Sequence, residues 1–419
     1  MVANFLKNSE IRKKLGITAI LIIAFRLVAH VPVPGIDLNA IRAYIQNSAF
    51  FGLLDLFSGG GFQNFSIVTL GLAPYINVSI AMQLLTMMIP SLEELQKEGD
   101  YGREKINMYT KLLTIPMSLL QGYGIYFWLS KQGVIHTLNP LDLVIFVLTL
   151  SSGAILLVWL GDLITEYGVG NGISLLIFVG IISRLPSALS GYVASLTSYN
   201  FGSTVVFAAL SIAVIVGVVL INEGTRNISI EYGRTGIRSE KISNFLPIKV
   251  NQAGVIPIIF AVSIVLVPSM ISGPLEATKN HSLQNLGYFL ARNFNSNSIG
   301  YNLLYFVLVV GFTYFYTSVQ FNSEKVAEDV KKRGGFIPGI RPGKSTSDYL
   351  KSIVNRITLT GALFLGLIAI LPFFVQKYIG VSNLSIGGTG LLIVVSVVLE
   401  TVRQIESLMV TRNYDSFLR

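Results

Sequence analysis

Apolar windows long enough to cross a bilayer recur at residues 16–34, 74–90, 109–130, 140–161, 172–190, 203–222, 252–272, 300–321, 353–375 and 386–407. Each approaches the ~20 residues that a helix needs to span a ~30 Å hydrocarbon core. Ten crossings put both termini on one side of the membrane, and charge says which. The segments on the side of the termini carry 24 of the 31 Lys and Arg, whereas the opposite side has only Arg42, Lys131, Arg184, Lys279, Arg292 and Lys377, with Arg26 inside the first window. The positive-inside rule therefore predicts cytoplasmic termini.

Composition supports a polytopic membrane protein. Of 419 residues, 52% are hydrophobic and 13% charged, and the mean hydropathy of +0.64 is too high for all the apolar groups to hide in a water-soluble core. The chain has no cysteine, which excludes disulfides and thiolate metal sites. Lys7, Arg12, Lys13 and Lys14 before the first apolar run have the outline of a secretion signal. The run is too long for one and no small-residue cleavage site follows, so it is read as a retained span.

The expected fold is an all-α membrane protein of ten transmembrane helices in two inverted five-helix halves with a re-entrant plug half-helix. Residues 1–222 would carry spans 1–5, a plug at 58–72, and span 6, which belongs to the second half. Residues 223–251 would form a cytoplasmic basic hairpin, and 252–419 spans 7–10 with a cytoplasmic loop at 322–352 and a tail. An odd number of spans per half forces the halves into opposite orientations, which allows a site at their interface.

Several segments depart from plain spans. Ser58-Gly59-Gly60-Gly61 leads into Phe62–Leu72, a run ending at Pro74. As a helix it would reach only ~17 Å, too short to cross, so a glycine-hinged re-entrant half-helix is expected there, with Phe62, Phe65, Ile67 and Leu70 on it. The fifth span opens at Gly168–Gly172, Pro257 interrupts the seventh, and the tenth opens at Gly387–Gly390. Near these breaks stand isoleucines at about one-turn spacing: Ile76 with Ile80, Ile173 with Ile177, Ile256 with Ile259, and Ile393. Isoleucine in a membrane helix ordinarily faces lipid or packs. Its repetition beside four breaks points to a hydrophobic constriction.

Two basic segments face the cytoplasm. Residues 331–344 hold Lys331, Lys332, Arg333, Arg341 and Lys344 among glycines and two prolines that stiffen the backbone, which makes a cationic docking loop for an anionic partner. In residues 223–251, the alternation Ile228-Ser229-Ile230-Glu231-Tyr232 before Gly233 predicts a hairpin bearing Arg234, Arg238 and Lys241. Arg26 and His30 are the notable ionisable residues within a span, and no mid-membrane carboxylate supplies proton coupling. The chain shows no nucleotide loop, HExxH pair, Ser/His/Asp set or metal-spaced cluster, so it is read as a non-enzyme with no cofactor.

FIPGIRPGK at 336–344, LPIKVNQAGVIP at 246–257, LDLFSGGG at 54–61 with APYI at 73–76, and GGTGLLIVV at 387–395 occur together and in order. With KEGDYGR at 97–103 and NYDSFLR near the end, the whole chain resembles the bacterial SecY family. The resemblance implies a channel in the bacterial cytoplasmic membrane. It would pass unfolded secretory chains and signal peptides and release hydrophobic segments sideways into membrane lipids. By resemblance Ser58 to about Leu72 is the plug and Ile76, Ile80, Ile173, Ile177, Ile256, Ile259 and Ile393 form the pore ring. Gln83, Gln121 and Ser263 would stand near a lateral gate. Arg341 matches an arginine sensitive to the motor SecA, and Arg238 with its neighbours matches a hairpin used by SecA and the ribosome. SecE and SecG are the implied partner subunits. The competing expectation is a secondary transporter with inverted repeats, which the missing intramembrane carboxylates disfavour. A membrane scaffold without a pore is a third.

Overall fold

Apolar runs become helices in lipid because only a helix or a closed barrel satisfies every backbone group without water. The computed structural model describes residues 9–34, 61–62, 64–131, 133–135, 138–183, 186, 201–232, 244–265, 267–276, 278, 280–294, 298–379 and 388–417. Each of the ten predicted windows overlaps a helix. The chain forms two compact units, one from residues 1–195 with 383–386 and 397–419, the other from residues 196–382 with 387–396.

The first unit contains α1 (Ser9–Val28), α2 (Ala73–Met88), α3 (Pro90–Lys97), α4 (Asp100–Lys131), α5 (Pro140–Tyr167) and α6 (Gly172–Ile182). Pro74 and Pro140 lie in the first turns of α2 and α5, where a missing N–H costs nothing. The Asn171 side chain caps α6 by accepting the Ser174 N–H. At Ile89 the chain bends by 99° from α2 into the polar α3, where Glu93 and Lys97 pair across one helical turn. Buried hydroxyls close on their own helix: Thr114 donates to the Thr110 carbonyl and Ser118 to that of Ile115. Across elements, Thr18 of α1 accepts the Val169 N–H at 3.0 Å, tying α1 to the break between α5 and α6.

The second unit contains α7 (Phe201–Glu223), the strands β1 (Thr225–Tyr232) and β2 (Asn244–Lys249), and α8 (Ile256–Val265) with α9 (Val267–Glu276). It continues through α10 (His281–Asn293), α11 (Ile299–Gln320), α12 (Ser323–Lys332), β3 (Gly335–Phe336) and α13 (Lys344–Ile379) to the first residues of α14 (Gly388–Phe417). Asn280, Ser298 and Asn322 cap α10, α11 and α12. Pro257 does not interrupt a span but lies at the second position of α8, where proline is tolerated. By length and composition α4, α5, the run Ile299–Lys332 and Lys344–Val375 can each cross a membrane, while α6, Ala209–Glu223 and α8 are shorter apolar helices. Ile20, Leu27, Leu120, Leu141, Leu220 and Leu303 are each at least 65% exposed, a surface suited to lipid rather than water.

The half-helix expected over 62–72 does not form. Residues 61–62 and 64–72 are a chain of tight turns, with Phe65 at φ 40° and Gly71 at φ 57°. Ser58, Gly59 and Gly60 lie outside the described residues. The backbone finds partners elsewhere: Val33 N–H donates to the Phe65 carbonyl at 2.9 Å and Ile67 N–H to that of Val31 at 3.0 Å. Phe62, Phe65 and Leu70 are buried with Val33, Leu129, Ile135, Phe146, Leu150 and Ala154, so α4 and α5 wall the segment in. Phe65 stacks on Phe146 at 6.0 Å between centroids. Re-entrant irregular backbone thus survives by pairing with residues 31–33 and burial in protein.

Gly153 of α5 makes this approach possible, since a Cβ there would stand 1.9 Å from the Ile67 carbonyl oxygen. Gly153→Ala must therefore displace the segment, and overpacking of this kind typically costs about 1–3 kcal/mol. A lower thermal midpoint in detergent, with faster hydrogen exchange at residues 61–72, is the expected result. Unchanged exchange at those residues would show that the contact does not hold them.

Candidate functional site

Two arrangements carry the candidate chemistry: the isoleucines beside the helix breaks and the basic face at the start of the second unit. In the first unit, Ile76 and Ile80 lie one turn apart on α2, and Ile173 and Ile177 one turn apart on α6. Ile76, Ile80 and Ile177 are buried, and half-buried Ile173 packs its Cγ1 against Gly161 of α5. In the second unit, Ile256 opens α8 and Ile259 follows on the same helix, while Ile393 lies in the first turns of α14. Ile259 and Ile393 are buried and Ile256 is half-buried. These side chains offer apolar surface with no donor, acceptor or charge. They can exclude water but can neither bind an ion nor move a proton.

The gate candidates are half-buried. Gln83 lies on α2, Gln121 on α4 and Ser263 on α8. The Ser263 hydroxyl donates to the Ile259 carbonyl at 3.0 Å, and the buried Gln83 Oε1 has no partner among the described residues. His30 lies just beyond α1, with its Nδ1 2.7 Å from the Arg26 carbonyl oxygen, which explains this residue locally.

The basic loop is more ordered than its composition predicts. Lys331 and Lys332 end α12 rather than open a loop, with Arg333 as the C-cap. Gly335 and Phe336 then pair antiparallel with Tyr232 and Glu231, adding a third strand to the expected hairpin in the order β2-β1-β3. The hairpin itself pairs Ile228 with Leu246 and Ile230 with Asn244. Its alternation is as read from the sequence, with Ile228 and Ile230 buried between exposed or half-buried neighbours. Arg234, Arg238 and Lys241 lie outside the described residues.

A small core underlies this sheet. Ile228, Ile248, Ala327, Ile337, Leu350 and Val354 are buried together, with Phe321, Ile340 and Ile353 against them. Ile337-Pro338-Gly339-Ile340 makes a tight turn. Ile340 N–H donates to the Ile337 carbonyl at 3.0 Å and Gly339 has φ 80°, as a type II turn with proline before glycine requires. Ile337 therefore anchors one end of a short arc while Arg341 stays exposed, its carbonyl accepting the Thr346 hydroxyl at 3.0 Å. Lys331, Lys332, Arg333 and Lys344 are exposed as well. The Lys332 ammonium donates to the Glu328 carboxylate, and that bond with the carboxylate's charge raises the Lys332 pKa. Sequence reading missed Ile337 as an anchor. Its signal was an isoleucine pair, Ile337 and Ile340, in a loop otherwise suited to water.

A SecY family model matches residues 66–402. The SecY protein translocase subunit of Corynebacterium glutamicum is 41% identical, over 99% of this chain and 98% of that protein. The one from Aquifex aeolicus is 42% identical, over 98% and 97%. Among solved structures, a SecY channel described by the role of its plug domain in its closed state aligns with a TM-score of 0.65 at 20% identity, covering 96% of this chain and 93% of that one. Sec61 from a canine ribosome–channel complex aligns with a TM-score of 0.58 at 19% identity, with the same coverage. Identity this high over nearly the whole length, with the fold and the positions described above, places the chain in the SecY family.

Proposed function

We propose that this protein is the channel subunit of a protein translocase in a bacterial cytoplasmic membrane, with both termini in the cytoplasm. It would conduct unfolded secretory chains and release transmembrane segments into lipid. The observation that carries the reading is the occurrence of seven isoleucines, on helices from both compact units, in a chain whose relatives are translocase subunits. An apolar neck can close around side chains of any chemistry because it makes no directional bond with them. A narrow neck of this kind dewets, which resists ion leak. Ile76, Ile80, Ile173, Ile177, Ile256, Ile259 and Ile393 form this ring, residues 58–72 the plug, and Gln83, Gln121 and Ser263 the polar margin of the lateral gate.

The three-stranded cytoplasmic sheet is the docking face for the motor SecA and for ribosomes. Arg341, Arg333, Lys331, Lys332 and Lys344 meet the partner's acidic groups, together with Arg234, Arg238 and Lys241 of the hairpin tip. SecE and SecG complete the complex. Burial of Ile337 supports the assignment, because it holds a charged arc against a packed base instead of leaving it to fluctuate. Preorganisation of this kind reduces the entropy lost on binding.

Three outcomes are expected. Ile80→Gly with Ile256→Gly should raise the resting conductance of planar bilayers, and bilayers as tight as those with the parent protein would place the constriction elsewhere. Arg341→Glu should abolish SecA-driven export in reconstituted vesicles with the protein still folded; normal export would reduce the loop to a topology signal. A Cβ at Gly335 would lie 2.9 Å from the Tyr232 ring, so Gly335→Val should unpair β3 and weaken SecA binding without removing a charge. Unaltered SecA affinity in this variant would separate docking from the sheet.

A further inference from the structure

Inside the second unit a line of amides crosses from one helix to another. Asn222, at the end of α7, donates through Nδ2 to the Ser396 hydroxyl of α14 at 2.8 Å. Asn251, in the loop before α8, donates through Nδ2 to Asn222 Oδ1 at 2.8 Å and to the Gly254 carbonyl at 3.2 Å. Asn251 is 6% exposed, and its buried Oδ1 has no hydrogen-bond partner among the described residues. Flipping the amide would face that oxygen towards two acceptors, so the donor arrangement is the one that fits. A stranded acceptor costs stability that an apolar residue at 251 would not lose, and what the amide offers in return is the two bonds it donates.

The positions of these bonds indicate that role. Ser396 lies three residues after Ile393 on α14, on the same helix face, and Asn251 precedes Ile256 by five residues at the entrance to α8. The entrance itself is held, since Val250 N–H donates to the Gly224 carbonyl at 2.9 Å. The side chains of Ile256, Ile259 and Ile393 make no directional bonds, so their helices could slide or rotate without losing an apolar contact. The amide line removes that freedom, because its bonds tolerate little change in distance or angle.

We propose that Asn222, Asn251 and Ser396 are positioning residues that fix the register of α8 and α14, and so align the second unit's share of the constriction. This rests on the ring reading above. Losing one neutral hydrogen bond should raise the misaligned population about fivefold, and resting conductance with it.

The test measures resting conductance of the full-length protein in planar bilayers for Ser396→Ala, Ser396→Thr, Asn222→Ala and the double variant Asn222→Ala/Ser396→Ala, beside the ring variant Ile80→Gly/Ile256→Gly. Ser396→Ala should leak about fivefold more than the parent and Ser396→Thr, which keeps the hydroxyl, should not. The double variant should leak no more than Asn222→Ala alone, because both remove the same bond. If Ser396→Ala is tight while the ring variant leaks, the amide line does not align the ring and the ring survives. Equal leak in Ser396→Thr and Ser396→Ala, or a double variant leaking as the product of the singles, also overturns the proposal. If the ring variant itself is tight, the constriction lies elsewhere and the alignment role falls with it.

Discussion

The constraint on which the structure depends is that hydrocarbon offers no hydrogen bonds, so every backbone group at membrane depth must find its partner inside the protein. Helices meet this automatically, which is why the apolar windows all fall on helices. Where the chain is irregular, the demand remains and is met by protein. Residues 61–72 show how: their backbone bonds to residues 31–33, and their side chains fill the space between α4 and α5. The segment is irregular backbone rather than a helix. Its stability comes from a modest set of contacts with one unit, whereas a continuous helix would hold its own hydrogen bonds wherever it went.

Outside the apolar helices water relaxes that demand, and the architecture changes with it. Strands appear, with an exposed and a buried face, over a core of Ile228, Ile248, Ile337, Leu350 and Val354. The hairpin after α7, α12 with the loop that follows it, and the first turns of α13 all contribute. Because α13 continues through Ile379 as a single helix, a load on the sheet meets a rigid element that runs directly into the membrane part of the same unit. The cations of the loop stand exposed beside these buried isoleucines, on a packed base.

Much of this was legible in the sequence. Apolar length located the helices, and the Gly168–Gly172 and Gly387–Gly390 breaks fell where α6 and α14 begin. The alternation Ile228-Ser229-Ile230 located β1 with the correct face buried. What stayed hidden were pairings between residues distant in sequence. Nothing local in Phe62–Leu72 announces that Val31 and Val33 will bond to it, or that Gly153 will admit the Ile67 carbonyl. An apolar run with period-neutral spacing therefore read as a half-helix. Gly335-Phe336 has no strand signal either, since two residues become a strand only when β1 offers a free edge. Pro257 was misread for a different reason: proline breaks a helix interior but suits its first turn, and the distinction depends on where the helix starts.

A channel for unfolded chains needs a seal indifferent to sequence and helices that nonetheless stand in register. One chemistry cannot supply both. Isoleucine contacts are non-directional and survive small displacements, which suits a seal and makes it a poor ruler. Hydrogen bonds are directional and fail over a few tenths of an ångström, which suits alignment. In the second unit the two are three residues apart on α14: Ile393 belongs to the proposed ring, and Ser396 accepts from the amide of Asn222. In the proposed arrangement these polar groups are bonded to one another, so they are not left to bind the amides of a passing polypeptide and slow its transit.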